Sequence, residues 1–278
     1  MYELSIVAWP MSRPTTLETY KEWARNTLSA DFDDEKSKNL YEVNLRAAFN
    51  TISGHEFFKQ FESRLGEWNF EYENLWHSQL LMDLSAPELL IKPYESAIDK
   101  SFRANVLWNT RFPDPPLDGW VTPDNLFRYF NDGVRGTIVC KFIDGPSFAT
   151  ERLSQLAAQL HLENRWYSQE KDEGYYAYHF YAKFDVNFYD GHWKGQKSKI
   201  EMEIQVTTQL QEVLRGLTHH FYEQKRVQPD ADTSKWKWEY KSNRFRASYL
   251  SHTLHLLEAV IVQSRDESME PGRGPGKV

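Results

Sequence analysis

Near residue 126 the apolar pattern of this 278-residue chain changes period. From residue 15 to about 85, apolar side chains recur every three or four positions, the spacing of a helix with one buried face. "TTLETYKEWARNTL" supplies a threonine cap, and Leu40, Val43, Leu45, Ala48, Phe49 and Ile52 form one stripe. Beyond Leu126 come a β-branched run, "GTIVCKFIDG", a long aromatic run, "YYAYHFYAKFDVNFY", and an alternating run, "KIEMEIQV". Helical patterns lie between and after them. One helix is expected to align Leu210, Val213, Leu214, Leu217 and Phe221; the last, about 243 to 263, turns Leu250, Leu254, Leu257 and Ile261 to the core. The order predicts an α+β fold, a mixed sheet of about five strands flanked by helices, with residues 1–85 as a helical segment packed on that core. The Gly/Pro-rich stretch 265–278 is expected to be a flexible tail.

Composition narrows the function classes. A net charge of −7 argues against the broad basic face that non-specific DNA binding needs. No uncharged apolar run approaches the ~18 residues of a membrane span, and the N-terminus does not read as a secretory leader. A single cysteine, Cys140, lies in an apolar run and reads as a buried thiol in a cytoplasmic protein. The nine histidines lack metal-protease spacing such as His-Glu-x-x-His, which argues against zinc hydrolysis; His252 and His255 read as helix-flank residues, and His219 as a possible support of the site.

The chemistry-bearing residues fall in four places. In "IKPYESAIDKSFRAN", Lys92, Ser96, Lys100 and Arg103 follow at intervals of four, four and three, so a helix opened by Pro93 lines them along one face. Two amines, a hydroxyl and a guanidinium suit a polyphosphate, although a solvated basic edge fits the stripe taken alone. Asp132 precedes the "TIVCKF" strand, and Glu203 lies within "EMEIQV", where Glu201, Glu203, Gln205 and Thr207 share one strand face. Two carboxylates on neighbouring strands are a donor pair for Mg²⁺ shared with phosphate oxygens. The fourth place is the aromatic stretch "EGYYAYHFYAKF", whose residues either stack on a flat ligand or pack. "KWKWEYKSNR" reads as an exposed strand or turn, or as a patch for a phosphate backbone.

Taken together these motifs resemble the RelA/SpoT-type small alarmone synthetases. "GYYAYH" (174–179) resembles that family's Gly-Tyr-x-x-Tyr-His loop, "EIQVTT" (203–208) its glutamate strand, and Lys92, Ser96, Lys100 and Arg103 reproduce the spacing of its phosphate-contacting helix. The resemblance spans roughly residues 88 to 226, and the four motifs occur in the family's order. It implies a nucleotidyltransferase-like synthetase domain over 86–264 and a pyrophosphokinase that moves the β,γ-pyrophosphate of ATP to the 3′-hydroxyl of a guanine nucleotide. Under it, Lys92, Ser96, Lys100, Arg103 and Arg135 bind donor ATP, and Asp132 and Glu203 are catalytic and hold Mg²⁺. Tyr175 stacks on the acceptor base, His179 touches acceptor phosphate or ribose, Gln205 orients Glu203, and Phe180, Tyr181 and Phe184 pack.

The sequence also departs from the family. Leu90 and Thr137 stand where two adenine-stacking arginines are usual, with Arg135 on the face of Thr137 as a candidate substitute. Thr207 replaces the arginine of the glutamate strand, and Glu212 stands at an asparagine position. These departures resemble the toxin-type members. They leave open an enzyme that pyrophosphorylates the 3′ end of tRNA and is neutralised by an antitoxin, or an inactive nucleotide- or partner-sensing module.

Overall fold

The computed structural model describes residues 13–216 and 233–269. Three helices come first: α1 (Leu17–Leu28), α2 (Glu35–Ser53) and α3 (Glu56–Trp76). Thr16 caps α1 through a reciprocal pair of hydrogen bonds with Thr19, which satisfies amides that the first turn leaves open. A two-residue strand β1 (Leu90–Ile91) leads through Pro93 into α4 (Tyr94–Phe102), which continues as a single π-helical turn, Arg103–Leu107. After a short α5 (Leu126–Tyr129), the chain runs β2 (Val134–Cys140), α6 (Gly145–Gln159), β3 (Asn164–Glu170), β4 (Tyr176–Tyr189) and β5 (Gly195–Thr208). Helix α7 begins at 209 and is described to 216; a 3₁₀ helix, Thr233–Trp238, precedes α8 (Asn243–Met269).

The five strands form one mixed sheet in the order β1-β2-β5-β4-β3, with β2 and β5 parallel and the other pairs antiparallel. The α+β expectation is met. The aromatic run is one continuous strand of 14 residues, so alternation sends Phe180, Ala182, Phe184, Val186 and Phe188 to one face and His179, Tyr181 and Lys183 to the other. The first set enters a single core shared with Tyr41, Leu45, Phe57, Phe61 and Leu153 of the covering helices. Phe57 stacks on Phe180 at 6.1 Å, its plane tilted by only 6°. Cys140 is fully buried in this core.

Four expectations are corrected. Val43 of the α2 stripe and Val213 of α7 are exposed, because the buried face of each helix is narrower than its apolar stripe; of the remaining α7 positions Leu214 is buried and Leu210 half-buried, while Leu217 and Phe221 lie outside the described residues, as does His219. In α8 the expected core face is turned outward: Leu250, Leu257 and Ile261 are about half exposed, whereas Ser248, Ser251 and Glu258 are buried. Polar bonds decide this orientation. Ser251 donates to Gly174 O and to Gln211 Oε1, His252 meets Tyr176 O–H at 2.6 Å, His255 stacks on Tyr176 at 3.6 Å, and Arg265 bonds Asp144 at 2.8 Å. Residues 265–269, expected in the tail, continue α8. Finally, "KWKW" is a 3₁₀ turn that buries Trp236 and leaves Trp238 86% exposed.

Candidate active site

The basic stripe is built by the helical cover. Tyr20 of α1 holds α4 and the π turn through Ser101 (2.9 Å) and Asn105 (2.8 Å), and Tyr41 of α2 donates to Lys92 O at 2.9 Å. Lys92 itself precedes the Pro93 cap, and its amide is anchored on Gly133 O at 2.9 Å, just before β2. The stripe and Asp132 are thereby drawn together. Lys92 Nζ donates to Asp132 Oδ2 at 2.9 Å and Lys100 Nζ to Oδ1 at 2.8 Å, so one carboxylate bridges two ammoniums. Burial opposes the Asp132 charge, but Lys100 and Lys92 outweigh it and hold the carboxyl down at about 2. Burial likewise pushes Lys92 down, against the pull of Asp132. The other two members of the stripe stand apart from this cluster: Ser96 is exposed, and the Arg103 guanidinium bonds Asp99 at 2.7 Å and lies 5.3 Å from the Trp108 ring.

The second cluster lies on the sheet face opposite the core. Register places Arg135 of β2 and Tyr181 of β4 beside Glu203 of β5, and Thr137 and His179 beside Gln205. Glu203 is only 4% exposed, yet its Oε1 takes two hydrogen bonds, from His179 Nδ1 and from Tyr181 O–H, both at 2.7 Å. Burial pushes this carboxyl up; the two donors overcome that and leave it below the usual carboxylate range, with Asp132 opposing them by its charge. Gln205 Nε2 reaches Oε2 at a loose 3.4 Å. With Nδ1 of His179 protonated, Nε2 accepts from Tyr175 O–H at 3.2 Å, so both ring nitrogens of this buried histidine are engaged inside the protein.

The two clusters act on each other: the Asp132 charge is felt at Glu203, and Arg135 lies beside Glu203 in register while its charge is felt at Lys92. Leu90, at one position where the resemblance expects an arginine, is the cross-strand partner of Arg135. Beyond Glu203 lies a small recess lined by Tyr175, Tyr176, Gln205, Thr207, Gln211 and Arg215. Gly174 brings the tyrosine loop there; its φ is +86°, and an added Cβ would stand 2.7 Å from Ser251 Cβ. Arg215 contacts Gln205 Oε1 at 3.3 Å and pairs with Glu212 at 2.6 Å.

Tyr181 and Arg215 are absent from the sequence-based site. Tyr181 is two residues after His179 on one strand, and that period alone places both on the same face. Arg215 follows Gln211 by four positions and Glu212 by three, which is helical spacing into the same recess.

Among the described residues no three His, Cys, Asp or Glu side chains form a group that could enclose a metal ion. Two carboxylates suit a different mode, in which Mg²⁺ takes one or two protein oxygens and completes its shell with water and phosphate. Among the described residues Glu203 Oε2, with its single long contact, has an oxygen to offer in that mode, whereas both oxygens of Asp132 are engaged by Lys92 and Lys100.

A mixed five-stranded sheet flanked by helices, with a basic helix beside it and a carboxylate network on the face away from the core, is an α+β fold. It is the fold of the small alarmone synthetases. Small alarmone synthetase 1 from Bacillus subtilis superposes with a TM-score of 0.50 at 18% identity, over 84% of this chain and all of that one. The same protein bound to its product pppGpp gives 0.49 at 17% identity over 84% and 100%, and small alarmone synthetase 2 from Bacillus subtilis gives 0.49 at 16% over 83% and 98%. No protein-family model and no curated protein matches the sequence. Among the described residues no helix is long and apolar enough to cross a membrane.

Proposed function

We propose that this chain is an ATP-dependent pyrophosphokinase acting on the 3′-hydroxyl of a guanine nucleotide, GDP or GTP. The observation that supports the reading is that the Lys92–Asp132–Lys100 cluster lies within electrostatic reach of a buried, charged Glu203. Lys92, Lys100, Arg103 and Arg135 bind the donor phosphates, with exposed Ser96 at the mouth. The ammoniums exchange Asp132 for phosphate oxygens, which accept the same donors. Tyr175 stacks on the acceptor base, worth about 1–3 kcal/mol for such contacts. Glu203 takes the proton of the 3′-hydroxyl as its oxygen attacks the β-phosphorus; the Pα–O–Pβ bond breaks, and AMP leaves. Gln205 and His179 keep Glu203 oriented. Asp132 and Glu203 would hold Mg²⁺, which would supply neutralisation of charge on the transferred group.

One observation favours a second acceptor, the 3′ end of tRNA. Arg215 is the cation of the recess and is paired with Glu212, which weakens the recess's attraction for a multiply charged 5′-phosphate. A neutralising antitoxin would accompany that activity.

Incubation with Mg²⁺ and γ-labelled ATP, together with GDP, GTP or deacylated tRNA in separate reactions, tests the reading. Label is expected in the guanine nucleotide and is expected to fall at least about 100-fold with Glu203→Gln. Label confined to tRNA would move the assignment to the second acceptor. No label in any acceptor would overturn both and leave a binding module.

A further inference from the structure

Tyr181 is not used by the chemistry above, yet its hydroxyl lies deep in the site. It donates to Glu203 Oε1 at 2.7 Å, the oxygen that also receives His179 Nδ1, and accepts from Tyr167 O–H at 3.2 Å. The Tyr167 ring stacks on both His179 (5.4 Å) and Tyr181 (5.9 Å), and the Arg165 guanidinium lies 4.1 Å from the Tyr181 ring. Edge strand β3 thus braces β4, and β4 braces the carboxylate. A purely packing role needs no hydroxyl; a buried phenol without a partner would be costly, and here the partner is the carboxylate assigned to proton transfer.

We infer that Tyr181 is a positioning residue of the transfer reaction: with His179 it fixes Glu203 through Oε1, leaving Oε2 as the oxygen that meets the acceptor hydroxyl. The inference rests on the proposed function. Its physical basis is the division of labour between two oxygens. Two short donors on Oε1 restrict the carboxylate's rotation, and among the described residues Oε2 has only the 3.4 Å contact from Gln205 to lose. Loss of one donor gives the carboxylate rotational freedom, which lowers the fraction of productive encounters. The other groups acting on Glu203 are His179 and Tyr175 from the β4 side, Arg135 and Asp132 from the β2 side, and Gln205 on its own strand; Tyr181→Phe leaves all of them in place.

The experiment compares wild type, Tyr181→Phe and Tyr167→Phe in the labelled-ATP transfer assay, with kcat and KM resolved separately and thermal melting of each. Tyr181→Phe is expected to lower kcat about tenfold with little change in KM for ATP or in the melting point. Tyr167→Phe, which removes the hydroxyl that bonds Tyr181, is expected to lower kcat in the same way by less. An active wild type whose kcat neither variant lowers would overturn the inference, and so would a loss of kcat matched by a raised KM or a lowered melting point. A wild type that transfers to no acceptor would instead overturn the function on which the inference stands. Should Tyr181→Phe fail to fold, the kcat of Tyr167→Phe decides.

Discussion

Glu203 and Asp132 are both buried carboxylates that remain charged, and they do so by different means. Glu203 is served by hydrogen bonds from His179 and Tyr181; Asp132 is clamped between two ammoniums. The Asp132 clamp makes stability depend on pH. Its folded pKa of about 2 lies below the 3.8 of the unfolded chain, so its contribution is complete above about pH 4 and is lost as pH falls towards 2. That difference corresponds to about 2 kcal/mol. Urea unfolding at pH 5.5 and pH 2.5 is expected to show Asp132→Asn with a slope against pH shallower than wild type by about that amount; equal slopes would show that the clamp is not what holds the charge. At this scale the sequence was legible where residue type and spacing agree on a chemistry, as with Lys92, Lys100, Asp132, Glu203 and His179. It was silent on Tyr181, because a tyrosine among six aromatics in a strand looks the same whether its hydroxyl is idle or bonded to a carboxylate.

Among the elements, the strands followed from the sequence better than the last helix. Alternation alone assigns both faces of β4 and β5, since a half-buried strand has only two sides and polar residues on one of them leave no choice. A helix offers a continuum of faces. The period of Leu250, Leu254, Leu257 and Ile261 says that these share a side of α8, but burial depends on what stands opposite. Here Gly174, Gln211, Tyr176 and Asp144 offer polar partners, and the helix turns its serines, histidines and Arg265 to meet them. A pair of truncations tests this orientation. Leu257→Ala, 48% exposed, is expected to change unfolding free energy by less than about 0.5 kcal/mol, whereas Leu153→Ala in the fully buried face of α6 is expected to cost about 2–5 kcal/mol. Comparable losses from the two in denaturant titrations would return the leucine seam to the core.

Across the whole molecule, the site depends on segments far apart in sequence that the sheet order makes neighbours. Lys92 and Asp132, separated by 40 residues, meet because β1 pairs with β2; Asp132 and Glu203 come within electrostatic reach because β5 crosses back to lie parallel to β2. The N-terminal helices belong to this arrangement, since Tyr20 and Tyr41 fix the basic helix from behind. Motif order in the sequence anticipated that assembly, but which groups close on Asp132 depends on where each is held: Lys92 reaches it from the segment just before α4 and Lys100 from α4 itself, while Ser96 is exposed and Arg103 bonds Asp99. The central claim is that the basic cluster around Asp132 and the Glu203 carboxylate together receive the triphosphate of ATP, and a crystal structure of the protein with Mg²⁺ and a non-hydrolysable ATP analogue tests it most directly. The account predicts the β- and γ-phosphates on Lys100 and Arg103 with Glu203 facing them and the Lys100–Asp132 bond opened; phosphates bound elsewhere, with that bond intact, would contradict it.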